Sequence, residues 1–413
     1  MVSPFMPDAE KVPAVRAALP AVEAGIYLNT GSVGPLPAET AAVMAELAAW
    51  ELRTGRGHVD SFHEFLDRLD EARGAVAAVL GAEVDAVALT HGTTQGMNHA
   101  VWSIDWRPGD RAVTTRIEHA GGLGGLYALR ERAAIDLAFV DVGDGGDDAL
   151  TLNALDEAIT PGTRLVAVSH VSYATGAVLP VAAIAELAHA RGAVLAVDGA
   201  QAAGAIPVSV PDTGADFYAI SGQKWLLGPE GTGALVVAPR ALAAARPSFA
   251  GWFSFEHIDS GGGATFRPDA RRFEVGGLYR PGIVGFARSV SWLSMYVGLD
   301  WIHRRGTALA RQAADRLAAI PGVELVTPRA RMATLVTFRI TGWPADAALA
   351  ELGARAFAIV RSIPELDAIR ISVAFFTTEE ELERFAGTVE LLAAHTPASI
   401  PPRRTLTMLG QDT

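Results

Sequence analysis

Short runs of aliphatic and β-branched residues alternate with alanine-rich segments through the middle of the chain, and this alternation constrains the fold most. Four such runs are RLVAVS (164–169), VLAVD (194–198), DFYAIS (216–221) and residues 234–238. Nearly continuous apolar strands separated by helices predict a mostly parallel sheet covered by helices on both faces. Ligands bind such sheets at the carboxyl ends of the strands, which draws attention to His170, Asp198 and Ser221.

The pattern changes after Pro281. A helical stretch over residues 283–317 precedes strand-like segments at 333–340 and 368–373 and a closing helix over 378–395. We therefore predict an α/β protein with two domains. The large domain covers residues 26–282, and a smaller α+β domain combines residues 1–25 with 283–413. The tail from residue 397 onward is expected to be loosely held.

Composition limits the classes of partner. Half of the residues are hydrophobic, 19% are charged and the formal net charge is -12. These values predict a globular protein and argue against a nucleic-acid or anionic membrane partner. No apolar run is long enough to span a bilayer, and the first residues lack a basic-then-apolar leader, so the expected compartment is the cytoplasm.

The chain has no cysteine. Disulfides, thiolate metal sites and cysteine nucleophiles are therefore excluded. His58 and His63 lie near each other in the sequence, but their spacing matches no standard ligand motif, and an amphipathic helix accounts for them. We predict no metal site.

Lys224 lies in SGQKWLLGPEGTG, directly after a predicted strand and inside a loop punctuated by glycines. A lysine that forms a Schiff base must be neutral for part of each cycle, and a confined, desolvated position favours the neutral amine. The apolar residues that follow Lys224 favour this interpretation. A solvated loop lysine is the alternative.

Asp198 ends the run VLAVD and leads into GAQAAG. A carboxylate at this position can face the pyridine nitrogen of pyridoxal phosphate (PLP) and keep it protonated, which makes the ring an electron sink. Capping of a helix is the alternative role. Gln201 can reach the phenolic oxygen of the same cofactor or lie on the surface.

The segment LTHGTTQGMN (89–98) places Thr93 and Thr94 between a strand and a helix. Backbone N–H groups and hydroxyls at a positive helix terminus suit a phosphate, although simple N-capping also explains them. Ser221 and Gln223 can complete such a phosphate site. His119, in RIEHAG, either stacks on the cofactor face or is a surface or capping residue.

Together these segments resemble the class V aminotransferase family, the cysteine-desulfurase-like branch of fold-type I PLP enzymes. The similarity extends from residue 27 to residue 382. Its core motifs occur in the family's order: THGTTQGMNHA, IEHAGG, SHVSYATG and VDGAQAAG followed by SGQKWLLGPEGTG. The resemblance implies the fold-type I architecture, pyridoxal 5'-phosphate as the cofactor, a small-molecule amino-acid substrate and a homodimer.

The resemblance also implies roles for individual residues. Lys224 matches the Schiff-base lysine, Asp198 the partner of the pyridinium nitrogen and His119 the stacking residue, and these form the predicted catalytic set. Arg370 matches the arginine that binds a substrate α-carboxylate, for which its bidentate geometry is suited. The remaining predicted cofactor contacts are Gln201 at the phenolic oxygen and, at the phosphate, Thr93, Thr94, Ser221 and Gln223.

Several positions depart from the desulfurase pattern. Tyr173 stands where desulfurases carry an asparagine, and Gly276-Gly277 replaces a Gly-Thr pair that reaches the neighbouring subunit's phosphate. Ala374 and Thr377 replace the usual His and Asn after Arg370. Desulfurases also need a mobile cysteine to take up sulfur as a persulfide. Because this chain has none, we predict that it is not a persulfide-forming cysteine desulfurase.

The text YLNTGSVGPLP and SGQKWLLGPEGTG is most similar to isopenicillin-N-epimerase-like and carbon–sulfur-lyase members. The leading prediction is a lyase that releases a thiol from an S-substituted cysteine by β-elimination. Epimerase, aminotransferase and decarboxylating deaminase activities stay open, because PLP supports all of these reactions. A non-catalytic PLP-fold binding protein is disfavoured by the intact Lys224, Asp198 and Arg370.

Overall fold

A computed structural model describes residues 2–403 of the chain. Its helices lie largely where the alanine-rich segments predict them. They are α1 Asp8–Ala17, α2 Ala38–Thr54, α3 Val59–Leu80, α4 Thr93–Trp102, α5 Ala120–Ala133, α6 Asp148–Ala158, α7 Val181–Ala190, α8 Val210–Thr213, α9 Pro239–Ala244, α10 Arg280–Ser291, α11 Leu299–Ala318, α12 Ala345–Ala356 and α13 Glu379–Ala393.

The strands form one large sheet, one smaller sheet and two short pairs. They are β1 Ile26–Tyr27, β2 Val87–Thr90, β3 Arg111–Thr115, β4 Asp136–Val140, β5 Thr163–Ser169, β6 Val194–Asp198, β7 Phe217–Ser221, β8 Gly233–Val237, β9 Phe255–Ile258, β10 Ala264–Phe266, β11 Val323–Leu325, β12 Leu335–Ile340, β13 Ala358–Ile359, β14 Arg361–Ile363 and β15 Ala368–Ser372.

The large sheet has seven strands in the order β2-β8-β7-β6-β5-β3-β4. Successive residues of β5 face different cores, with Leu165 in the cluster that includes Met97 of α4 and Val166 in the cluster that includes Ile184 of α7. Both faces are therefore covered by helices, as strands with apolar residues on both sides require. The predicted α/β class with a mostly parallel sheet is confirmed.

One strand of this sheet runs against the others. β8 is antiparallel to both β7 and β2. A parallel neighbour needs a long crossover connection, usually a helix. Only the loop that carries Lys224 joins β7 to β8, so the chain turns back beside the strand it has just left. The apolar run at 234–238 does not reveal this reversal.

The smaller sheet has the order β11-β12-β15-β14 and is antiparallel throughout. Its apolar side packs with α11, α12 and α13 around Phe338, Leu352 and Phe385. Two further contacts bring the beginning of the chain to this region. β1 pairs with β13, and Arg16 of α1 forms an ion pair of 3.0 Å with Glu381 of α13.

The helical stretch predicted over 283–317 is interrupted. α10 continues into a π-helical turn at Trp292–Val297, and Gly298 then adopts a φ of 91° before α11 begins. Glycine takes such a φ without the steric cost that a Cβ imposes. The predicted domain boundary after residue 282 lies inside α10, and the domain division stays a prediction.

Within residues 2–403, no helix combines the length and the apolar character needed to cross a membrane. The predicted tail is only partly described. Arg403 forms an ion pair of 2.9 Å with Glu351 of α12. Residues 404–413 lie outside the described part of the chain.

Candidate functional site

A cavity of about 240 Å³ lies at the carboxyl ends of the large sheet's strands, facing the smaller sheet. Every residue to which the resemblance assigned a role lines it: Thr93, Thr94, His119, Asp198, Gln201, Ser221, Gln223, Lys224 and Arg370. His170, which the strand-end rule also indicated, does not line it, and its Nδ1 lies 2.8 Å from the Tyr218 hydroxyl. Residues that the sequence analysis did not assign also line it, namely Gly31, Ser32, Tyr173, Ala200 and Arg361. The structure thus brings together the whole set that the resemblance implied.

One corner of the cavity is built from a helix terminus and two hydroxyls. α4 begins at Thr93, after a turn at Gly92 with a φ of 142°. The Thr93 N–H donates to Ser221 Oγ at 3.1 Å, and the two side-chain oxygens lie 2.8 Å apart. Gln223 Oε1 is buried without a hydrogen-bond partner among the described residues. This corner therefore offers the N–H groups and partial positive charge that suit a phosphate.

Lys224 lies on a tight turn beside this corner. Its carbonyl accepts from the N–H of Leu227, which has a φ of 52°. Gly34 packs so closely that a Cβ there would lie 2.4 Å from the Lys224 oxygen. Burial lowers the pKa of Lys224 to about 8, against the opposing effect of Asp198. The amine is thus partly neutral near physiological pH, as a nucleophile requires.

Only one other lysine of the chain could form a Schiff base in place of Lys224. Lys11 is the other lysine of the chain. Lys11 is fully buried, donates to the Pro4 carbonyl at 3.1 Å and lies 4.6 Å above the Trp301 ring. It is held by a carbonyl and a cation–π contact and does not line the cavity. The rarity of lysine is a signal that the sequence analysis overlooked.

Asp198 ends β6 and is 8% exposed. Its Oδ1 accepts the Ala200 N–H at 2.9 Å. A Cβ at Gly122 would lie 3.2 Å from Oδ2, so the glycine leaves room beside the carboxylate. The Asp198 carboxylate is consequently fixed in place before any ligand contacts it.

His119 precedes α5 and caps it. Its Nδ1 accepts the Gly121 N–H at 3.0 Å, which leaves the proton of the neutral ring on Nε2. Burial lowers the pKa of His119, and the charge of Lys224 lowers it further. The ring is therefore neutral and available to stack on a flat ligand.

Gln201 is held at both ends of its amide. Nε2 donates to the Gly31 carbonyl at 2.8 Å, and Oε1 accepts from Trp225 Nε1 at 2.9 Å. A contact with a cofactor oxygen would use the second N–H of Nε2, which the amide retains. The pair of hydrogen bonds fixes where that N–H lies.

The opposite wall carries two arginines. Arg370 of β15 is fully buried and pairs across the antiparallel ladder with Arg361 of β14. Arg370 Nη1 donates to the Tyr173 carbonyl at 2.8 Å, and both guanidinium groups lie 3.4 Å from Ser32 Oγ. Within residues 2–403 neither arginine forms a salt bridge, and Arg370 Nε has no hydrogen-bond partner. Burial and the neighbouring Arg361 lower the pKa of Arg370 to about 9.

Tyr173 connects the two walls. Its ring meets the His119 ring edge to face, with centroids 4.8 Å apart and an interplanar angle of 88°. Burial raises the pKa of Tyr173 to about 12, with a further contribution from Glu365. The phenol is thus neutral, and its ring closes the cavity beside the arginine pair.

Arg361 is the main residue that the sequence analysis missed. The turn Pro364–Leu366 separates two short extended segments, which is a hairpin signal. Recognising that hairpin would have placed an arginine of the first strand beside Arg370 of the second. Ser32 had no comparable signal, because its position depends on long-range contacts.

The groups of the cavity match what PLP requires. The corner at Thr93 and Ser221 suits the phosphate, and the fixed carboxylate of Asp198 suits a protonated ring nitrogen. Gln223 can contact the phosphate only through its Nε2 amide N–H groups, because its unpaired Oε1 is an acceptor. A Cβ at Gly121 would lie 2.7 Å from Thr94 Oγ1, so the glycine keeps this entrance open. The donor set therefore fits the cofactor.

Curated relatives cover nearly the whole chain. A probable cysteine desulfurase from Methanothermobacter thermautotrophicus is 28% identical over 394 residues, which is 92% of this chain and 97% of the relative. An isopenicillin N epimerase from Streptomyces clavuligerus is 31% identical over 392 residues, covering 89% of this chain and 94% of the relative.

Solved structures agree with these relatives. A cystine C–S lyase in complex with its reaction product cysteine persulfide superposes with a TM-score of 0.85 at 25% identity, covering 90% of this chain and 99% of that chain. A cysteine desulfurase from Thermococcus onnurineus NA1 gives a TM-score of 0.82 at 28% identity, covering 95% and 100%.

The predicted reaction, a thiol-releasing lyase that forms no persulfide, is wrong. Relatives named cysteine desulfurases and a structural neighbour bound to cysteine persulfide overturn it. The prediction treated the absence of cysteine as evidence that the enzyme forms no persulfide at all. That absence prevents the chain from carrying sulfur on its own thiol. It places no limit on forming a persulfide that departs on a small molecule.

The family model for class V aminotransferases matches residues 26–385. This range includes every residue that lines the cavity. A solved relative, a mutant of C-DES, contains glycine covalently linked to its PLP cofactor and superposes with a TM-score of 0.86 at 25% identity. The chain is a PLP-dependent enzyme and belongs to the class V aminotransferase family.

Proposed function

We propose that this enzyme forms a persulfide by cleaving a carbon–sulfur bond of a cystine-class amino acid, with the persulfide leaving on a small molecule. The similarity to a cystine C–S lyase bound to cysteine persulfide supports this reaction. The absence of cysteine from the chain supports the free product, since no side chain can carry the sulfur.

The observation that carries the proposal is the uncompensated pair of Arg361 and Arg370. Arg370 is fully buried and Arg361 is half-buried, and neither forms a salt bridge within residues 2–403. Burying a charge without a counter-ion is costly, and a like charge on the facing strand adds to the cost. The cost is offset when anions bind. A disulfide-bridged amino acid brings two carboxylates, whereas cysteine brings one. We assign Arg370 to the α-carboxylate beside Lys224 and Arg361 to the distal carboxylate.

The other residues divide the remaining work. Thr93, Ser221 and Gln223 hold the phosphate, with Thr94 at its entrance, and Gln201 contacts the phenolic oxygen. Asp198 keeps the ring nitrogen protonated, and His119 stacks on the ring. When bound, PLP supplies an electron sink for the negative charge that develops at the substrate Cα.

Lys224 moves the proton. Its amine would hold PLP in the resting enzyme, and the same amine is placed to take the proton from the substrate Cα. The Cβ–S bond then breaks, and its electron pair leaves with sulfur as the cysteine persulfide anion. Water hydrolyses the remaining three-carbon fragment to pyruvate and ammonia. No external oxidant or reductant is needed.

We further propose a homodimer in the cytoplasm. Exposed aromatic side chains lie near the loop that contains Gly276-Gly277, with Trp252 66% and Tyr279 67% exposed. Large exposed apolar groups of this kind are typical of protein interfaces. Light scattering of the holoenzyme tests this state, and a monomer would contradict it.

The reaction is tested by incubating the PLP-loaded enzyme with cystine. We expect equal amounts of pyruvate, ammonia and cysteine persulfide, the persulfide being trapped by an alkylating reagent and identified by mass spectrometry. Incubation with cysteine is the matched comparison. Alanine from cysteine without pyruvate from cystine would overturn the proposal, as would Cα epimerisation without bond cleavage.

A further inference from the structure

A second carboxyl group lies behind Asp198 and has no role in the chemistry proposed above. Glu118 precedes His119 on the segment between β3 and α5 and is partly buried. Its Oε1 accepts from Thr115 Oγ1 at 2.7 Å, and its Oε2 accepts from Ser169 Oγ. Thr115 ends β3 and Ser169 ends β5, so Glu118 joins two strand ends.

The same contacts bring Glu118 next to Asp198. The parallel register of β5 and β6 pairs Ser169 with Asp198. The serine that bonds to Glu118 is therefore the strand neighbour of Asp198. Burial raises the pKa of Glu118 to about 7 despite its hydroxyl partners, and the charge of Asp198 adds to this rise. Two adjacent carboxylates cannot both ionise without a penalty.

Among residues 2–403, the groups that contact Glu118 include no cation. β3 and β5 present the hydroxyls of Thr115 and Ser169, β6 presents the Asp198 carboxylate, and its own segment presents the His119 ring. The pKa of His119 is lowered by burial, so that ring is neutral. Lys224 acts on Asp198 from the cavity side. Of the two carboxyl groups, Asp198 is the one that lines the cavity together with Lys224.

We propose that Glu118 is a positioning residue that carries the proton of this carboxyl pair, so that Asp198 keeps its negative charge toward the cofactor ring nitrogen. The neutral carboxyl also ties the turn that bears His119 to the sheet. The inference rests on the role proposed for Asp198. It does not depend on which bond of the substrate is cleaved.

The test is infrared difference spectroscopy of the holoenzyme between about pH 6 and about pH 8.5, a range that spans the Glu118 transition and leaves ordinary carboxyls ionised. We expect one protonated-carboxyl band that disappears with rising pH. Glu118→Gln should abolish the band. Glu131→Gln, at a 78% exposed position on α5, is the matched control and should keep it.

Coupling to Asp198 gives the second readout. In Asp198→Asn the like charge is gone, and the midpoint of the band should fall by about one unit. Glu118→Gln should leave the cofactor Kd within about twofold, while Glu118→Ala should weaken binding by about tenfold because the hydroxyls of Thr115 and Ser169 lose their hydrogen-bond partner.

A band that survives Glu118→Gln, or a midpoint unmoved by Asp198→Asn, would overturn the inference. Cofactor binding unaffected by Glu118→Ala would also overturn it. Failure of the cystine assay with the band and its shift intact would instead remove only the proposed reaction.

Discussion

The two walls of the cavity differ in how their polar groups are hydrogen-bonded. The large-sheet wall carries Thr93, His119, Asp198 and Ser221, and the small-sheet wall carries Arg361 and Arg370. On the large-sheet wall three polar groups have partners within the chain: Thr93 with Ser221, Asp198 with the Ala200 N–H and His119 with the Gly121 N–H. Gln223 Oε1, by contrast, is buried on this wall without a hydrogen-bond partner among the described residues. On the small-sheet wall Arg361 and Arg370 share only hydroxyl and carbonyl contacts.

This difference separates a permanent ligand from a transient one. A prearranged wall holds a cofactor without reorganisation, which suits a group that stays bound. An uncompensated wall gains most when an anion arrives, which suits a substrate that must be recognised in every cycle. We therefore expect substitutions on the two walls to have opposite signatures.

The largest effect on turnover is expected at the large-sheet wall. Lys224→Ala should lower turnover of cystine by at least about 10³-fold, because the covalent anchor and the Cα base are lost together. Steady-state pyruvate release measures this loss. Borohydride reduction followed by peptide mass spectrometry should place the cofactor on Lys224 in the parent enzyme. The chain's other lysine is the internal control, and a reduced adduct on Lys11 would contradict the assignment.

The small-sheet wall should show activity and stability moving in opposite directions. Arg370→Met should lower kcat/KM by about 10²-fold, because the α-carboxylate loses its partner. The same change should raise the free energy of unfolding of the substrate-free protein by about 1 kcal/mol, because a buried uncompensated charge is removed. Denaturant titration measures this gain. A parallel loss of activity and stability would break the comparison.

Arg361→Gln should distinguish the distal carboxylate of cystine from the α-carboxylate beside Lys224. We expect KM for cystine to rise by about tenfold with little change in kcat, since one ionic contact to the distal end is lost. A mixed disulfide of cysteine with an uncharged thiol is the matched substrate and should be almost unaffected. Equal losses with both substrates would contradict the distal assignment.

Arg370 on the small-sheet wall should also influence the pKa of Lys224 on the large-sheet wall. Its pKa is lowered to about 8 by burial, and Arg370 contributes to the lowering. Because the neutral amine is the nucleophile, the rate of PLP capture by the cofactor-free enzyme should rise with pH through about 8. Arg370→Gln removes a positive charge and should move this midpoint upward by about half a unit. A downward shift, or a rate independent of pH, would contradict the electrostatic link.

The smallest effect is expected at the phosphate corner. Thr93→Val keeps the side-chain volume and removes one hydroxyl, so the cofactor Kd should rise by about fivefold. Fluorescence titration with PLP measures the change. Thr54→Val, at an exposed position that ends α2, is the matched control. If Thr93→Val raised the cofactor Kd more than Ser221→Ala does, the phosphate would lie closer to Thr93 at the start of α4 than to Ser221.

The large-sheet wall could be predicted because each of its residues follows a recognisable local pattern. Apolar runs ended at Asp198 and Ser221, a helix start followed at Thr93, and the carboxyl ends of neighbouring strands necessarily meet at one edge. The strand limits at 194–198 agree with the structure for the same reason. Where the local signal was silent, as for the reversal of β8 or the break at Gly298, the prediction was incomplete.

The small-sheet wall needed the tertiary structure. Arg361 acquires its meaning only from the antiparallel register that sets it opposite Arg370, and Ser32 reaches both from the other end of the chain. Register and long-range packing depend on the summed burial of many side chains, which no short motif encodes. The proximity of Glu118 to Asp198 likewise depends on strand order.

The sequence by itself determined the family and the cofactor, because these depend on residue types at fixed spacings. The role of Lys224 as the Schiff-base lysine stays a prediction. The missing cysteine was also a fact of the sequence, but its meaning was not. Only the folded cavity, in which two guanidinium groups form no salt bridge with any residue of 2–403, suggests where a disulfide substrate and its departing persulfide would fit. Charges that are distant in sequence interact only after folding has removed the water between them.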